Sequence, residues 1–350
     1  RDVERSRGLG DVYKRQKQGG IPVKRGDRLH KKPEPALQGF RVGGGLRNLP
    51  HNFGLDLRRN KALYLFLTVI LTYFILFHYL PMFGILMSFE KFSPVKGILG
   101  SKWIGFDNFI VFFSGPYAGR LIKNTALIGV LDLLINFPAP IIFALLLNEI
   151  RQNHFKKTVQ TISYMPYFVS TVVAASLVIN FTKSGGAISE SLKFMTGGSS
   201  ENLLNLPSWF KPIYILMGTW QGMGYGSIIY LAALSNVDQE LYDAAKVDGA
   251  GYWKQMWHIT LPGISAMIVM MFIMRMGTVF SVGADKILLL YNPSTYDTAD
   301  VINTYVYRIG MQDMNFGLST AVGLFNSVIG TILLLTSNSV LKKLSGTSMF

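Results

Sequence analysis

Residues 241–262 read LYDAAKVDGAGYWKQMWHITLP and connect two long apolar runs. Leu241, Ala244 and Ala245 are spaced i, i+3 and i+4, so a helix would place them on one face. Gly249 follows where such a helix would end, and glycine readily takes the left-handed conformation that closes a helix. The stretch therefore predicts a short helix with a face of small residues, a glycine turn and a second short helix.

Residues on either side of the glycine turn set the expected limits of these two helices. Asn236 is the expected N-cap of the first helix, since its side chain can accept a hydrogen bond from a free backbone N–H group. Trp253, Met256 and Trp257 would share one face of the second helix, and Pro262 is expected to end it. A plain connection can be much shorter, so this stretch indicates a surface built for docking.

The rest of the chain is dominated by apolar runs. Of its 350 residues, 49% are hydrophobic and 15% are charged, against roughly 25% charged in soluble domains. Each run can cross a bilayer, which takes about 20 residues per helix. Backbone polar groups cannot stay unpaired in lipid, and the runs lack the alternation of β-barrel strands. The sequence therefore predicts an all-α, polytopic membrane protein with six transmembrane helices, at 62–87, 125–147, 158–180, 212–234, 264–283 and 318–340.

Basic residues are concentrated near the N-terminus. The formal net charge is +14, and residues 1–61 carry 16 Lys or Arg against 6 Asp or Glu. A basic tail can bind nucleic acid, but this one adjoins an apolar run, where positive charge favours the cytoplasmic side. Six crossings then place both termini in the cytoplasm and leave long outer connections at 88–124, 181–211 and 284–317.

Three regions follow from these patterns. Residues 1–61 are rich in Gly, Pro and basic residues, and we expect them to form a disordered cytoplasmic tail. Residues 62–343 are expected to form the six-helix membrane domain, and residues 344–350 a short C-terminal tail. Gly8–Gln16, GLGDVYKRQ, resembles translated sequencing-adapter sequence, which predicts that residues 1–16 are not native.

Several polar and aromatic residues lie within the predicted membrane helices. Ionisable side chains are expensive there and are candidates for function, and aromatic faces with hydrogen-bonding groups are typical of small-molecule sites. The candidates for a substrate path are Asp132, Trp220, Gln221, Tyr225, Arg275 and Asn326. A structural ion pair is the alternative for the charged residues, and anchoring at the membrane interface is the alternative for the aromatic ones.

The sequence contains no catalytic or metal-binding pattern. It has no cysteine, and its five histidines lack the spacing of metal ligands. It also lacks the Gly-x-x-x-x-Gly-Lys-Ser/Thr phosphate loop. We therefore expect no enzyme activity, no metal and no cofactor in this chain.

The stretch 241–262 resembles the EAA loop of binding-protein-dependent ABC importer permeases. Asp243-Ala244-Ala245 matches the Glu-Ala-Ala triplet, and Gly249 and Ile259-Thr260-Leu261-Pro262 follow at the family spacing. Asp243 is the single departure, which keeps the charge and shortens the side chain. The resemblance implies the type I ABC importer permease fold, with a cytoplasmic coupling helix in this stretch.

The same resemblance implies partners and a mechanism. Two separate ATP-binding subunits would bind ATP and Mg²⁺, receive the loop in a groove and open a path shared with a second, homologous permease. An extracellular solute-binding lipoprotein would deliver the substrate. The expected location is the bacterial plasma membrane. The lipid bilayer is an expected partner, and nucleic acid is not. The residues that would couple this chain to the ATPase are Leu241, Asp243, Ala244, Ala245, Asp248, Gly249, Ile259, Leu261 and Pro262.

Other segments resemble sugar permeases of the maltose-transporter class. They are Trp103–Phe109, Tyr164–Ser170, Thr304–Arg308 and Ala321–Phe325. The last two most resemble the branch that takes up polysaccharides, oligosaccharides or aldouronates in Gram-positive bacteria. This resemblance implies a carbohydrate substrate.

Three other functions stay open at this point. The chain could be an ABC permease for a non-sugar solute, or a secondary transporter driven by an ion gradient. Secondary transporters often contain inverted repeats, and no convincing repeat is found in this sequence. A membrane sensor or scaffold without transport is the third alternative, and it leaves the loop at 241–262 unexplained.

Overall fold

The computed structural model describes residues 59–198 and 200–345. Most of the predicted tail at 1–61, including Gly8–Gln16, and most of 344–350 therefore lie outside the described residues. The chain divides into two compact units, Arg1–Leu71 and Thr72–Phe350. In the first unit the described residues form the start of one helix, and all other elements belong to the second.

Nearly all regular structure in the described residues is helical. The α-helices are Lys61–Phe74, Leu80–Met82, Gly97–Gly100, Asp107–Ser114, Ala118–Asn136, Pro138–Glu149, Asn153–Tyr164, Thr171–Thr182, Ala187–Thr196, Pro207–Leu234, Gln239–Val247, Tyr252–Gln255, Leu261–Thr278, Ala284–Leu290, Tyr296–Ala299, Ile302–Tyr307 and Phe316–Ser345. The 3₁₀ segments are Phe83–Phe89, Met165–Phe168, Leu203–Asn205 and Pro293–Thr295, and the π segments are Ile75–Tyr79, Met256–Thr260 and Arg308–Gln312. Two strands, Glu90–Lys91 and Lys102–Trp103, pair antiparallel with Glu90 opposite Trp103.

Five helical stretches of the described residues are long and apolar enough to cross a membrane. They are Lys61–Phe89, Ala118–Glu149, Thr171–Thr196, Tyr252–Thr278 and Phe316–Lys343. They confirm the predicted all-helical, polytopic membrane fold.

The third and fourth predicted segments differ from the structure. The segment 158–180 is divided between two helices, because Pro166 lies in a 3₁₀ turn and Ser170 starts a new helix by accepting a hydrogen bond from the Val173 N–H at 3.3 Å. The segment 212–234 lies inside the 28-residue helix Pro207–Leu234, whose glycines and polar side chains keep it outside the five apolar stretches. The count of six transmembrane helices therefore stays a prediction.

The helix expected to start after Pro262 begins ten residues earlier, at Tyr252, and runs to Thr278. The expectation that Pro262 ends a helix is wrong. Proline lacks an N–H group, and its ring clashes with the carbonyl of the preceding turn in an α-helix. The π segment just before it widens that turn, since the Leu261 N–H donates to the Met256 carbonyl five residues back. The second short helix of the docking stretch and the membrane helix are therefore one continuous helix.

Helix Pro207–Leu234 crosses the centre of the second unit and contributes to two hydrophobic cores. The first core surrounds its N-terminal half, and the second surrounds its C-terminal end. The first includes Ile128, Phe210, Ile213, Met217, Ile287 and Val301, and the second includes Ile141, Ala144, Tyr230, Leu234, Met256 and Ile264. Residues 218–229 of the helix lie between the two cores, and this is where cavities open.

Candidate functional site

The loop helix, Gln239–Val247, begins at Asp238. Its Oδ1 atom accepts a hydrogen bond from the Glu240 N–H at 2.9 Å. The expectation of Asn236 as the N-cap is wrong, because the Asn236 amide donates to the Ala232 carbonyl at 3.1 Å at the end of the preceding helix. Aspartate suits the N-cap because its charge also interacts favourably with the positive end of the helix dipole.

Gly249 ends the loop helix in the left-handed conformation, with a φ of +72°. Its N–H donates to the Lys246 carbonyl at 3.0 Å, and the Ala250 N–H donates to the Ala245 carbonyl at 2.8 Å. No atom of the described residues lies within 4 Å of the place where a Cβ atom would be. A substitution at Gly249 is therefore unfavourable because of the backbone conformation and not because of a clash with a neighbour. The predicted glycine turn is present.

Tyr242 fastens the loop helix to the rest of the chain. Its hydroxyl hydrogen-bonds to Thr260 Oγ1 at 3.0 Å, and Thr260 is buried in the π segment. Leu241 and Ala244 are exposed, and Val247 has 88% of its surface exposed. The helix is thus held on one side and presents small and apolar side chains on the other. Sequence reasoning missed both Tyr242 and Val247.

The predicted coupling residues differ in exposure. Leu241, Asp243, Ala244, Asp248, Gly249 and Pro262 are exposed, and Ala245, Ile259 and Leu261 are half-buried. The carboxylate of Asp243 accepts a hydrogen bond from Lys246 Nζ at 2.9 Å on the same helix. Both partners are exposed, so this pair adds little to stability.

The aromatic face expected on the second short helix is different in the structure. Trp253 and Trp257 are 69% and 65% exposed, but Met256 is buried in the second core. The three residues therefore do not form one exposed face. The two indoles are four residues apart and exposed, and they follow shortly after the loop helix in the sequence.

Asp132 and Arg275 form an ion pair, although 143 residues separate them in sequence. Arg275 Nη2 donates to Asp132 Oδ2, and Asn136 Nδ2 donates to Asp132 Oδ1 at 2.7 Å. Asn136 also accepts a hydrogen bond from the Thr219 hydroxyl. The two helices approach closely beside the pair, because a Cβ atom on Gly129 would overlap the Val279 carbonyl oxygen. Three helices therefore meet at one polar point.

Lys286 joins this point from the predicted outer connection at 284–317. Its Nζ atom lies 4.7 Å from the centroid of the Tyr214 ring. Gly218 lies one turn after Tyr214 on helix Pro207–Leu234, and a Cβ atom there would come within 3.1 Å of Lys286 Nζ. Burial lowers the pKa of Lys286 below its usual value, the charge of Asp132 opposes this shift, and that of Arg275 adds to it. We call Asp132, Asn136, Thr219, Arg275 and Lys286 the polar cluster.

Two cavities adjoin the polar cluster. The smaller, of about 250 Å³, extends towards residues 278–283 at the end of the fifth apolar stretch. The larger, of about 410 Å³, extends towards Pro140, Tyr230 and Met271. Asp132, Arg275 and Lys286 line both cavities. The same three charged groups therefore border both cavities.

Residues 136–345 match the family described as binding-protein-dependent transport system inner membrane component. This match covers the loop helix and part of the polar cluster. The chain belongs to this family. The predicted resemblance to binding-protein-dependent permeases is thereby confirmed, as is the prediction of a multi-pass membrane protein that serves as a transport subunit.

The relatives of this permease include proteins named as permeases of carbohydrate transport systems. Protein LplB of Bacillus subtilis is 43% identical over 84% of this chain and 92% of its own. The polygalacturonan/rhamnogalacturonan transport system permease protein YteP of Bacillus subtilis is 44% identical, over 83% of this chain and 90% of its own. A solved chain from a bacterial ABC transporter involved in the import of the acidic polysaccharide alginate has a TM-score of 0.78 and 38% identity. That match covers 84% of this permease and 99% of the solved chain.

The permease does not bring all six predicted path residues together. Asp132 and Arg275 form the ion pair. Trp220 lines a separate apolar cavity of about 340 Å³ with Phe181 and Pro212. Its cavity shares no residue with the two that adjoin the polar cluster.

The other three predicted path residues have partners of their own. Gln221 donates to the Val169 carbonyl at 3.4 Å, and the Tyr225 ring stacks on Tyr167 with centroids 3.9 Å apart. Asn326 is buried and donates to Asn303 Oδ1 at 3.3 Å. These contacts hold neighbouring helices together.

A buried carboxylate organises the outer connection of the permease at 284–317. Asp300 is fully buried, and its Oδ2 atom accepts a hydrogen bond from Arg308 Nη2 at 2.7 Å. Burial acts to lower the pKa of Arg308, but the hydrogen bond and charge of Asp300 outweigh it and raise that pKa. Asn124 donates to the Asp297 and Asp300 carbonyls at 2.9 and 3.1 Å. These contacts fix the connection to helix Ala118–Asn136, and we call Asp300, Arg308 and Asn124 the outer clamp.

Proposed function

We propose that this permease forms one half of the membrane path of an ATP-driven importer for carbohydrate. The names of its relatives support this, because they include permeases for polygalacturonan and for arabinooligosaccharides. A second, homologous permease would complete the path, and an extracellular binding lipoprotein would deliver the sugar. The solved alginate importer in complex with its pentasaccharide-bound periplasmic protein supports the latter partner.

The observation that carries the proposal is the exposed face of the loop helix. Leu241 and Ala244 are exposed on a helix that begins and ends at defined caps. Small side chains permit another surface to approach closely. Because this sequence has no phosphate loop, that surface belongs to a separate ATP-binding subunit, which binds ATP and Mg²⁺.

The continuous helix Tyr252–Thr278 gives the loop a mechanical route to the path. The loop helix is fastened to Thr260, and Arg275 lies 15 residues further along the same helix, or about 22 Å at 1.5 Å per residue. Closure of the ATP-binding subunits displaces the loop helix, and the continuous helix carries that displacement to the ion pair with Asp132. We include Asp132 and Arg275 in the path.

The proposed orientation places both termini in the cytoplasm of a bacterial cell, with the protein in the plasma membrane. The basic residues before the first apolar stretch favour the cytoplasmic side. Six crossings are needed, so helix Pro207–Leu234 spans the membrane along with the five apolar stretches. The loop helix and Lys342 and Lys343 then face the cytoplasm.

The source of energy tests this proposal against a secondary transporter. We expect the purified permease to retain an ATPase subunit, and sugar uptake by cells to stop when ATP is depleted. Uptake should continue when a protonophore collapses the proton gradient while ATP is maintained. Uptake that follows the proton gradient and persists without ATP would contradict the proposal.

A further inference from the structure

The cavities beside the polar cluster have an excess of positive charge. Among the described residues that line them, the acidic and basic side chains are Asp132, Arg275 and Lys286. Two cations therefore face one anion. Arg275 is exposed and Lys286 is half-buried, so the cost of an unmatched charge falls mainly on Lys286.

Asp132 is already occupied by its neighbours. One carboxylate oxygen accepts from Arg275 and the other from Asn136. Lys286 forms no ion pair with a carboxylate of the described residues. It rests on the ring of Tyr214, which attracts a cation but accepts no conventional hydrogen bond on its face.

Donor groups at this point exceed the acceptors that the described chain supplies. The ammonium of Lys286 has three N–H donors, and a guanidinium has five, of which Arg275 uses one on Asp132. Arg275 and Lys286 line both cavities, so a ligand in either cavity is next to these donors. A planar, negatively charged group with two oxygens matches such donors best.

We propose that Arg275 and Lys286 form a subsite for the carboxylate of an acidic sugar, so that the substrate is a uronate-containing oligosaccharide. This inference rests on the proposed function, and it assigns the class of sugar. During passage the substrate carboxylate lies between Lys286 and Arg275 and replaces part of the contact of Arg275 with Asp132. A neutral sugar leaves Lys286 without a counter-charge.

The experiment uses the complete importer in proteoliposomes, with both permeases, the ATP-binding subunits and the binding protein. The probes are trisaccharides of galacturonic acid and of mannuronic acid, each beside its neutral methyl ester, at concentrations that saturate the binding protein. The readout is the ratio of acid uptake to ester uptake. We expect Lys286→Met to lower this ratio about tenfold or more, as for the loss of a hydrogen bond between charged groups, and Lys286→Arg to restore most of it.

Lys183→Met is the matched control, since Lys183 is exposed at the end of helix Thr171–Thr182 and lies outside both cavities. It should leave the ratio and the rate of ATP hydrolysis unchanged. An equal ratio in the wild type and in Lys286→Met would overturn the carboxylate subsite and leave carbohydrate import standing. If Lys286→Met impairs assembly and slows both probes equally, the carboxylate subsite is likewise overturned. That result is expected if Lys286 pairs instead with a fixed carboxylate of the second permease. If neither acids nor esters enter while ATP is hydrolysed, both the inference and the proposed function fail.

Discussion

Gly249 shows how one residue sets the shape of the docking surface. Its positive φ lets the chain reverse directly after the loop helix, and the Ala250 N–H then reaches the Ala245 carbonyl. Any other residue would hold that conformation at a cost of roughly 1–2 kcal/mol. Gly251, two residues further on, has a φ of −68° that every residue can adopt.

These two glycines allow a matched comparison at the residue scale. We expect Gly249→Ala to lower the amount of sugar imported per ATP hydrolysed, because the strained turn moves the loop helix out of register with its partner. Gly249→Arg should reduce it further by adding bulk. Gly251→Ala should behave as the wild type, since no atom of the described residues lies within 4 Å of its Cβ position. Equal effects of the two alanine substitutions would contradict a role for the left-handed turn.

The polar cluster contains residues that the sequence predicts and one that it does not. Asp132 and Arg275 can be picked out in sequence because ionisable side chains are rare in apolar runs. Lys286 gives no such signal, since it lies in a connection where lysine is ordinary. Lys286 reaches the cavity because helix Ala284–Leu290 places it against the Tyr214 ring. Contacts between distant segments of this kind have no trace in local sequence.

At the scale of elements, local sequence predicts helices better than it predicts their limits. The apolar runs identify the membrane helices because backbone polar groups cannot stay unpaired in lipid, and a helix pairs them within one segment. Prolines are harder to interpret: Pro166 lies where a helix is interrupted, whereas a helix continues past Pro262. A π segment with the buried residues Met256 and Thr260 lies just before Pro262, and none lies just before Pro166. Local sequence does not show where such a segment forms.

The outer clamp gives a test at the element scale. Asp300→Asn removes a fully buried charge and leaves Arg308 without its counter-ion. We expect the free energy of unfolding to fall by about 3 kcal/mol, as for other buried pairs that lose one partner. The measurement is the thermal unfolding midpoint of the detergent-solubilised complex.

Asp297→Asn is the control for the clamp. Asp297 pairs with Arg120 at 2.6 Å, but 82% of its side chain is exposed. Water screens such a pair, so its loss should cost under about 1 kcal/mol. Similar midpoints for the two variants would mean that Asp300 does not hold the connection at 284–317 in place.

At the scale of the whole molecule, one continuous helix joins the docking surface to the ion pair. Tyr242 fixes the loop helix to Thr260, and helix Tyr252–Thr278 ends three residues after Arg275. The sequence alone predicts the loop and the intramembrane charges separately. Their connection depends on the helix passing through Pro262, which the sequence argues against. The account therefore depends on the loop helix contacting the ATP-binding subunit.

Site-specific photo-crosslinking tests that contact most directly. The permease has no cysteine, so Val247→Cys provides a single thiol at the exposed end of the loop helix. A thiol-specific photo-crosslinker is attached before the ATP-binding subunits are added. Phe194→Cys, exposed near the end of helix Ala187–Thr196, is the control. We predict an adduct between the permease and the ATP-binding subunit from position 247 and none from position 194. An assembled complex that hydrolyses ATP but gives no adduct from position 247 would contradict the account.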